Sequence, residues 1–402
     1  MLWVGIDWSE RWHDVAFMVD SGEVLNSFRI EDSPAGLTRL QALVAKLNVE
    51  PAEVVIGIET PHGLMPQALR AAGYTIYAVN PLEASRYRDR HRVSKAKSDR
   101  SDAKMLADLV RTDRKNHRTL PDDSAEAAAV KVLARSHRSL IWTRQQLCNQ
   151  LRSTLREFYP GALAAFDDRL YEAEALALLQ RAPTPAQGRL LTLSRIASAL
   201  RQARRRQVES RARDIQKALR APRLEQPEPV AKAYGAAVVG VMGTIRELNL
   251  QIETLERELQ RSFEGHPDAA IYLSQPGLGL VLGARALGEF GDDPNQFKDS
   301  RARKNYASTS PITRASGTRK VVVARFARND RLADVCDRWA FCALHSSPGA
   351  RRYYDALRGR HKDNHAALRA LGNRLVGILD GCLRRRQLYQ EEIAWPALQE
   401  VA

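Results

Sequence analysis

Cysteine is scarce in this 402-residue sequence. It occurs as Cys148, Cys336, Cys342 and Cys382, and no two stand in a C-x-x-C spacing, so neither a zinc site nor a disulfide framework is suggested. A reduced, cytoplasmic compartment is the simple expectation. Long apolar runs are missing too. No stretch of about 18 apolar residues exists, and no basic-then-apolar leader opens the chain, because Met1-Leu2-Trp3-Val4-Gly5-Ile6 reads directly into a strand. That argues against a membrane as partner. Acid is in short supply, with 47 Asp and Glu against 62 Lys and Arg, a formal net charge of +15, and a pI near 9.9. Such an imbalance points to a polyanionic partner. A chain of this length is expected to hold two or three domains.

The opening residues read as a β-meander. Leu2 to Ile6 leads to Asp7, His13 to Val19 alternates, and Glu23 to Ile30 follows the Ser21-Gly22 turn. Leu37, Leu40, Leu43, Val44 and Leu47 predict a helix over 34–47. Val54-Val55-Ile56-Gly57-Ile58 is wholly apolar, as a strand covered on both faces should be, and it ends on Glu59. A helix over about His62 to Ala72 stops at Gly73, and Tyr74 to Val79 supplies another strand. Three antiparallel strands followed by alternating helices and strands is the plan of an α/β RNase H-like domain.

Asp99 and Asp102 then open a helical pattern carried by Met105, Leu106, Leu109 and Val110. Residues three apart share a helix face, so both carboxylates project to one side. Lys95, Lys97, Arg100 and Lys104 surround them, with Arg86, Arg88, Arg90 and Arg92 just upstream. A bland reading remains open for this pair: a helix N-terminus capped by Ser98, with acids favoured in the first turn. Asp7 and Glu59 at the ends of two strands change the balance. Four carboxylates from three elements can hold two magnesium ions about 4 Å apart, and the basic surround suits a phosphodiester. Gly5-Ile6-Asp7 also opens actin-like ATPases, but the glycine-rich phosphate loops those enzymes need are missing near Glu59 and Asp99.

From Asp122 to Phe158 a long helix is expected, with Leu133, Leu140, Leu147, Leu151, Leu155 and Phe158 on one face. Residues 160–230 read as helical fragments broken by proline, and the segment 201–213 carries Arg204, Arg205 and Arg206 among its arginines, a candidate for phosphate contact. Val238, Val241, Ile245, Leu248, Ile252, Leu255 and Leu259 recur at spacings of 3 and 4, which suggests a coiled coil, with packing inside the subunit as the alternative. Pro276-Gly277-Leu278-Gly279 before an apolar helix resembles a helix-hairpin-helix turn, whose glycines would let backbone amides approach a phosphate. Ser316-Gly317 lies between Arg314 and the pair Arg319-Lys320. Cations there would lower the cost of an attacking alkoxide, although a Ser-Gly in a basic loop is also an ordinary turn.

Taken together, these motifs resemble the DEDD transposases of the bacterial insertion-sequence family numbered one hundred and ten, related to the Piv DNA invertases. The likeness rests on Gly5-Ile6-Asp7, Gly57-Ile58-Glu59-Thr60 and Lys97-Ser98-Asp99-Arg100-Ser101-Asp102-Ala103 in the first half. In the second half it rests on Pro276-Gly277-Leu278-Gly279, Ser316-Gly317, Ala327-Arg328-Asn329, Ser347-Pro348 and the closing Ala370 to Leu383 helix. The resemblance implies a RuvC-like nuclease domain over 1–120, a helical and coiled-coil oligomerisation region over 121–265, and a mainly α transposase domain over 266–402. It implies catalysis by Asp7, Glu59, Asp99 and Asp102 with two Mg2+ ions, and Ser316 as nucleophile. It further implies donor and target DNA, a bridge RNA that guides them, and a dimer or tetramer in which one subunit's acids meet another's serine. Nucleic-acid contacts are expected from Arg100, Lys104, Arg204, Arg205, Arg206, Arg314, Arg319 and Lys320. The family's usual Ser-Gly-Gly-Lys stands here as Ser316-Gly317-Thr318-Arg319. Two rivals remain: a RuvC-like metal-dependent junction nuclease with no covalent intermediate, and a non-catalytic nucleic-acid-binding protein.

Overall fold

A central strand, β1 (Leu2–Trp8), organises the first 122 residues. A computed structural model describes residues 1–91, 99–325 and 328–396. Arg92, Lys95, Lys97, Ser98 and Ala327, singled out above, lie outside them, and of Asp99 the backbone alone is described. Two units divide the chain, Met1–Asp122 and Asp123–Ala402.

In the first unit β2 (Trp12–Met18) and β3 (Val24–Glu31) extend β1 as an antiparallel meander. α1 (Pro34–Ala45) starts at Ser33, whose hydroxyl caps the Gly36 amide, and leads into β4 (Val54–Ile58). α2 (Leu64–Ala71), β5 (Thr75–Ala78), α3 (Pro81–His91), α4 (Asp99–Asp113) and the two-residue β6 (Arg118–Thr119) complete the unit. The sheet runs β3-β2-β1-β4-β5-β6, with β4 and β5 parallel to β1 and β6 antiparallel to β5. This mixed order is consistent with an RNase H-like sheet. Strand alternation separates two cores. Val4, Ile6, Ile56 and Ile58 pack with Leu40 and Leu69 on one side, while Trp3 and Val55 pack with Ala84, Leu106 and Val110 on the other.

The second unit is mostly helical. α5 (Ala125–Phe158) is followed by five shorter helices: α6 (Pro160–Phe166), α7 (Ala173–Arg181), α8 (Pro185–Arg189), α9 (Leu193–Gln202) and α10 (Val208–Arg220). Pro160 and Pro185 stand at the first helical position, where a missing N–H costs nothing. α11 (Glu228–Glu264) returns antiparallel to α5. The start of α5 (Val130, Ala134) shares a core with the end of α11 (Leu259, Phe263), and its end (Leu151, Leu155, Phe158) shares another with the start of α11 (Val238, Met242, Ile245). Within the chain Val238, Ile245, Ile252 and Leu259 of the heptad run are buried, while Val241, Leu248 and Leu255 keep partial exposure. Packing inside the subunit therefore takes up the row of the expected seam that Ile245 and Ile252 occupy.

Beyond α11 come α12 (Ala269–Ser274), α13 (Leu280–Phe290), α14 (Ser300–Tyr306), a hairpin of β7 (Ile312–Ser316) and β8 (Arg319–Val323), then α15 (Asp330–Ser346), α16 (Pro348–Gly359), α17 (Asn364–Arg385) and α18 (Glu391–Ala394). Trp339, fully buried, anchors this body and donates its indole N–H to the Pro276 carbonyl at 2.9 Å. The segment expected to form a helix-hairpin-helix-like turn joins α12 to α13. Gly277 has φ +80 and its Cα faces the backbone of α15, where a Cβ would lie 2.6 Å from the Ala343 nitrogen. Of the two glycines in that turn, Gly279 alone is open. All four cysteines are free thiols, and no described helix is long and apolar enough to cross a membrane.

Candidate active site

Asp7, inside β1, and Glu59, just past the end of β4, come side by side. In the parallel register of β1 and β4, Gly5 stands opposite Gly57 and Ile6 opposite Ile58, so the two Gly-Ile-acid segments run at the same level. Side chains alternate between faces, which puts each acid on the face of its own glycine. α4 covers that face. A Cβ on Gly5 would collide with the Ala103 carbonyl, and one on Gly57 would come 2.7 Å from both the Leu106 carbonyl oxygen and Val110 Cγ1. The helix backbone can therefore lie against the strands only because both positions lack a side chain. Asp102, the residue before Ala103, is held there 3% exposed.

Arg88, from α3, ties two of the acids together. Its Nε is 3.1 Å from Asp102 Oδ1 and its Nη2 is 3.9 Å from Glu59 Oε1. The shorter approach is an ion pair without hydrogen-bond alignment, since Arg88 Nε has no hydrogen-bond partner among the described residues. A guanidinium thus stands where positive charge shared by Glu59 and Asp102 is needed. Asp14 adds a further carboxylate that sequence reasoning passed over. It pairs directly across from Asp7 in the β1–β2 register, is 4% exposed, and binds Arg29 through Oδ2 at 2.6 Å. Its Oδ1 has no hydrogen-bond partner among the described residues. The signal available in the sequence was the His13-Asp14 pair inside an otherwise apolar strand.

No group of three His, Cys, Asp or Glu side chains among the described residues is placed to hold a metal ion, and the Asp99 side chain is not among those residues. The donor set nevertheless fits a hard divalent cation. It offers carboxylate oxygens alone, without the imidazole or thiolate that would select a softer ion. Beside Asp102 and Arg88 opens a cavity of about 280 Å3, lined also by Tyr87, Ser101 and Lys104. Arg100 and Lys104 are exposed on α4.

In the second unit the hairpin sorts the residues around Ser316. Ser316 is opposite Arg319, Ala315 opposite Lys320, and Arg314 opposite Val321. Opposed residues share a face and alternate along each strand. Ser316, Arg319 and Arg314 therefore lie on one face, while Lys320 belongs to the other. Gly317, at φ +56, takes the first central position of the two-residue turn and Thr318 the second, the arrangement in which type II′ turns require glycine. Residues 313–322 are all exposed.

The arginine cluster between α9 and α10 divides as well. Arg205 donates to the buried Glu174 through Nε (2.7 Å) and Nη2 (3.0 Å) and pairs with Glu172 at 2.7 Å. The hydrogen bond to Glu174 raises its pKa and ties the guanidinium to the fold, while the side chain stays 39% exposed. Arg204 and Arg206 are exposed.

Comparison with known proteins bears on both halves of the chain. Residues 4–160 match the family model DEDD_Tnp_IS110, described as a transposase. Residues 269–355 match the model of the transposase IS116/IS110/IS902 family. The mini-circle protein of IS117 from Streptomyces coelicolor is 43% identical over 404 residues, covering 99% of this chain and 97% of that protein. The 43.6 kDa protein of insertion element IS110, also from S. coelicolor, is 26% identical and covers 100% and 98%. The 42 kDa protein of insertion element IS900 from Mycobacterium paratuberculosis is 27% identical, with 96% and 97% covered.

Proposed function

Because the chain belongs to the IS110 family of transposases, we propose that it cuts, exchanges and rejoins DNA strands with two parts of its own sequence. Asp7, Glu59, Asp99 and Asp102 form the cutting centre, and Ser316 is the nucleophile. The supporting observation is the matched Gly-Ile-Asp and Gly-Ile-Glu segments under α4, with Arg88 between Glu59 and Asp102. Magnesium held by the four carboxylates would withdraw charge from the scissile phosphate. Arg88 keeps the acids from repelling one another until that cation arrives, and Arg100 and Lys104 draw the DNA backbone to the same helix.

Ser316 Oγ attacks phosphorus and gives up its proton. One P–O bond to deoxyribose breaks, leaving a free hydroxyl on one end and a phosphoserine ester on the other. A hydroxyl from a second strand then attacks the ester, restores a phosphodiester and returns the serine. No bond energy is lost to water, so resealing needs no nucleotide cofactor. Arg319 and Arg314, on the face of Ser316, offset charge on the attacking oxygen and on the phosphate. We assign the choice of sequence to a bridge RNA that pairs with donor and target DNA. The protein then needs mainly backbone contacts, which its net charge of +15 supplies. Productive assembly joins the acids of one subunit to the serine of another.

The test is adduct trapping on a nicked or mismatched substrate. Wild-type protein should become covalently attached to DNA through Ser316. The Ser316→Ala variant should lose adduct and recombinant product while still binding RNA and DNA. An adduct persisting in that variant would move the nucleophile elsewhere. Efficient cleavage with no adduct in either protein would favour a junction nuclease. RNA copurifying with the protein should match DNA flanking its element, and RNA unrelated to it would remove the guide.

A further inference from the structure

The closing helix α17 carries a feature that the reaction above does not use. A cavity of about 520 Å3 opens between α17, α14 and the segment before and within α18. Its walls hold Lys304, Arg374 and Arg385, with Ser300 and Asn373, and none of the described lining residues is acidic. Asp380, the acid nearest on α17, is buried and taken up by Arg303 and Arg384. The cations are not neutralised from within the cleft.

Part of the floor is bare backbone. Gly377 and Gly381 lie one helical turn apart on α17, and both line the cavity. The Lys304 ammonium rests over Gly377, 2.7 Å from where a Cβ would stand, with Ser300 Oγ 3.3 Å from that point. Arg385 Nη2 lies 3.1 Å from the corresponding point on Gly381. Glycine inside a helix is disfavoured relative to alanine, and here it gives two cationic heads a seat in a recess rather than on a ridge. Arg374 is fixed as a wall, stacked on Trp395 at 4.4 Å and donating to the Ala394 carbonyl at 3.1 Å. The rim is of different chemistry. Leu388 and Ile393 are 55% and 65% exposed, and both line the opening with Gln387 and Gln390.

Cations in a recess suit phosphates. Exposed aliphatic side chains and amides at its edge suit the faces and edges of unpaired bases, which a duplex keeps stacked inside. We propose that this cleft binds a single-stranded stretch of nucleic acid, its phosphates against Lys304 and Arg385 and its bases over Leu388 and Ile393. The inference rests on the nucleic-acid reading above and adds a site on the side of the transposase body formed by α14 and α17.

Fluorescence anisotropy on the full-length protein tests it, with labelled oligo-U RNA, oligo-dT DNA and a duplex of equal length across a salt series. Losing two phosphate contacts should lower the slope of log K against log salt by about 1.4 for single strands, at roughly 0.7 per contact. Lys304→Gln combined with Arg385→Gln should show that drop, with duplex binding unchanged. Gly381→Ala adds one methyl group and helix propensity, so it should melt no lower than wild type yet bind single strands more weakly. A loss confined to RNA identifies the guide as occupant, and a loss confined to DNA identifies an unpaired donor or target strand. Single-strand binding with an unchanged slope in the double variant overturns the proposal, as does an equal loss for the duplex. If wild-type protein binds none of the three probes, the nucleic-acid reading itself fails.

Discussion

Substituting Gly57 by alanine probes the contact that holds the acidic centre together. The new Cβ would lie 2.7 Å from the Leu106 carbonyl oxygen and 2.7 Å from Val110 Cγ1, where ordinary contact begins at 3.4 Å. Either α4 retreats by up to 0.7 Å or the strand bends away from it. Overpacking of this kind costs about 1–3 kcal/mol, and replacing a strand glycine returns about 0.5–1 kcal/mol. The expected net loss is about 0–2.5 kcal/mol, or a melting point lower by up to roughly 10 °C for a unit of this size. The variant should therefore fold. Its chemistry should suffer more than its stability, because Asp102 rides on α4 next to the contact. A 1 Å misplacement costs on the order of 100-fold, so cleavage should fall by about 10-fold or more. Thermal unfolding and single-turnover DNA cleavage measure the two effects. Adding Val110→Ala removes one of the two clashes and should recover part of each. Gly57→Ala with wild-type melting and wild-type cleavage would refute the idea that the glycine pair sets the position of α4.

Three more perturbations separate structural from functional roles. Arg88→Ala should lower the melting temperature without metal, as Glu59 and Asp102 lose their shared cation, and should enlarge the stabilisation gained on titrating Mg2+; equal Mg2+ dependence in both proteins would sink the link. Ile245→Asp should destabilise the helical head, the cluster that α6–α10 form with the adjoining ends of α5 and α11, by several kcal/mol, because the residue is fully buried within its own chain. Light scattering that shows dissociation with unchanged melting would return the seam to a subunit interface. Burial pushes the Glu289 carboxyl up, but hydrogen bonds from Arg135 and Asn329 outweigh it and hold the pKa below the ordinary value. Its stabilisation is complete above the unfolded pKa, about 4.3, and is lost as pH falls through the lower folded value. Glu289→Gln should flatten that acid limb, and an unchanged acid profile would count against the pair.

The strand ends were readable in the sequence because a short, wholly apolar run closed by a single acid fits a strand covered on both faces and little else. Val54 to Ile58 followed by Glu59 is such a run, and β4 occupies it. The role of Gly5 and Gly57 was not readable, because it depends on which strands are neighbours and on a helix that arrives about 45 residues later. α3 escaped as an element for a related reason. Its arginines register as charge, and Ala84 with the half-buried Tyr87 is all of it that is described against the core. The heptad run between Val238 and Leu259 looks alike whether its partner is α5 or another copy, since period reports a buried face and not what buries it. Arg205 shows the same limit for charge. It is exposed like its neighbours Arg204 and Arg206, and what sets it apart is Glu174, which lies 31 residues back.

The antiparallel pair of α5 and α11 fixes a length. At 1.5 Å per residue the 34 residues of α5 reach about 51 Å, roughly 15 base steps of a nucleic-acid strand at 3.4 Å each. One end of that beam is rooted in the body that carries the hairpin, the other in the head that exposes Arg204 and Arg206. A polymer gripped at both ends would be gauged by a residue count rather than by any base. Regauging it would require matched insertions in both helices, in steps of about seven residues so that the inward faces stay inward.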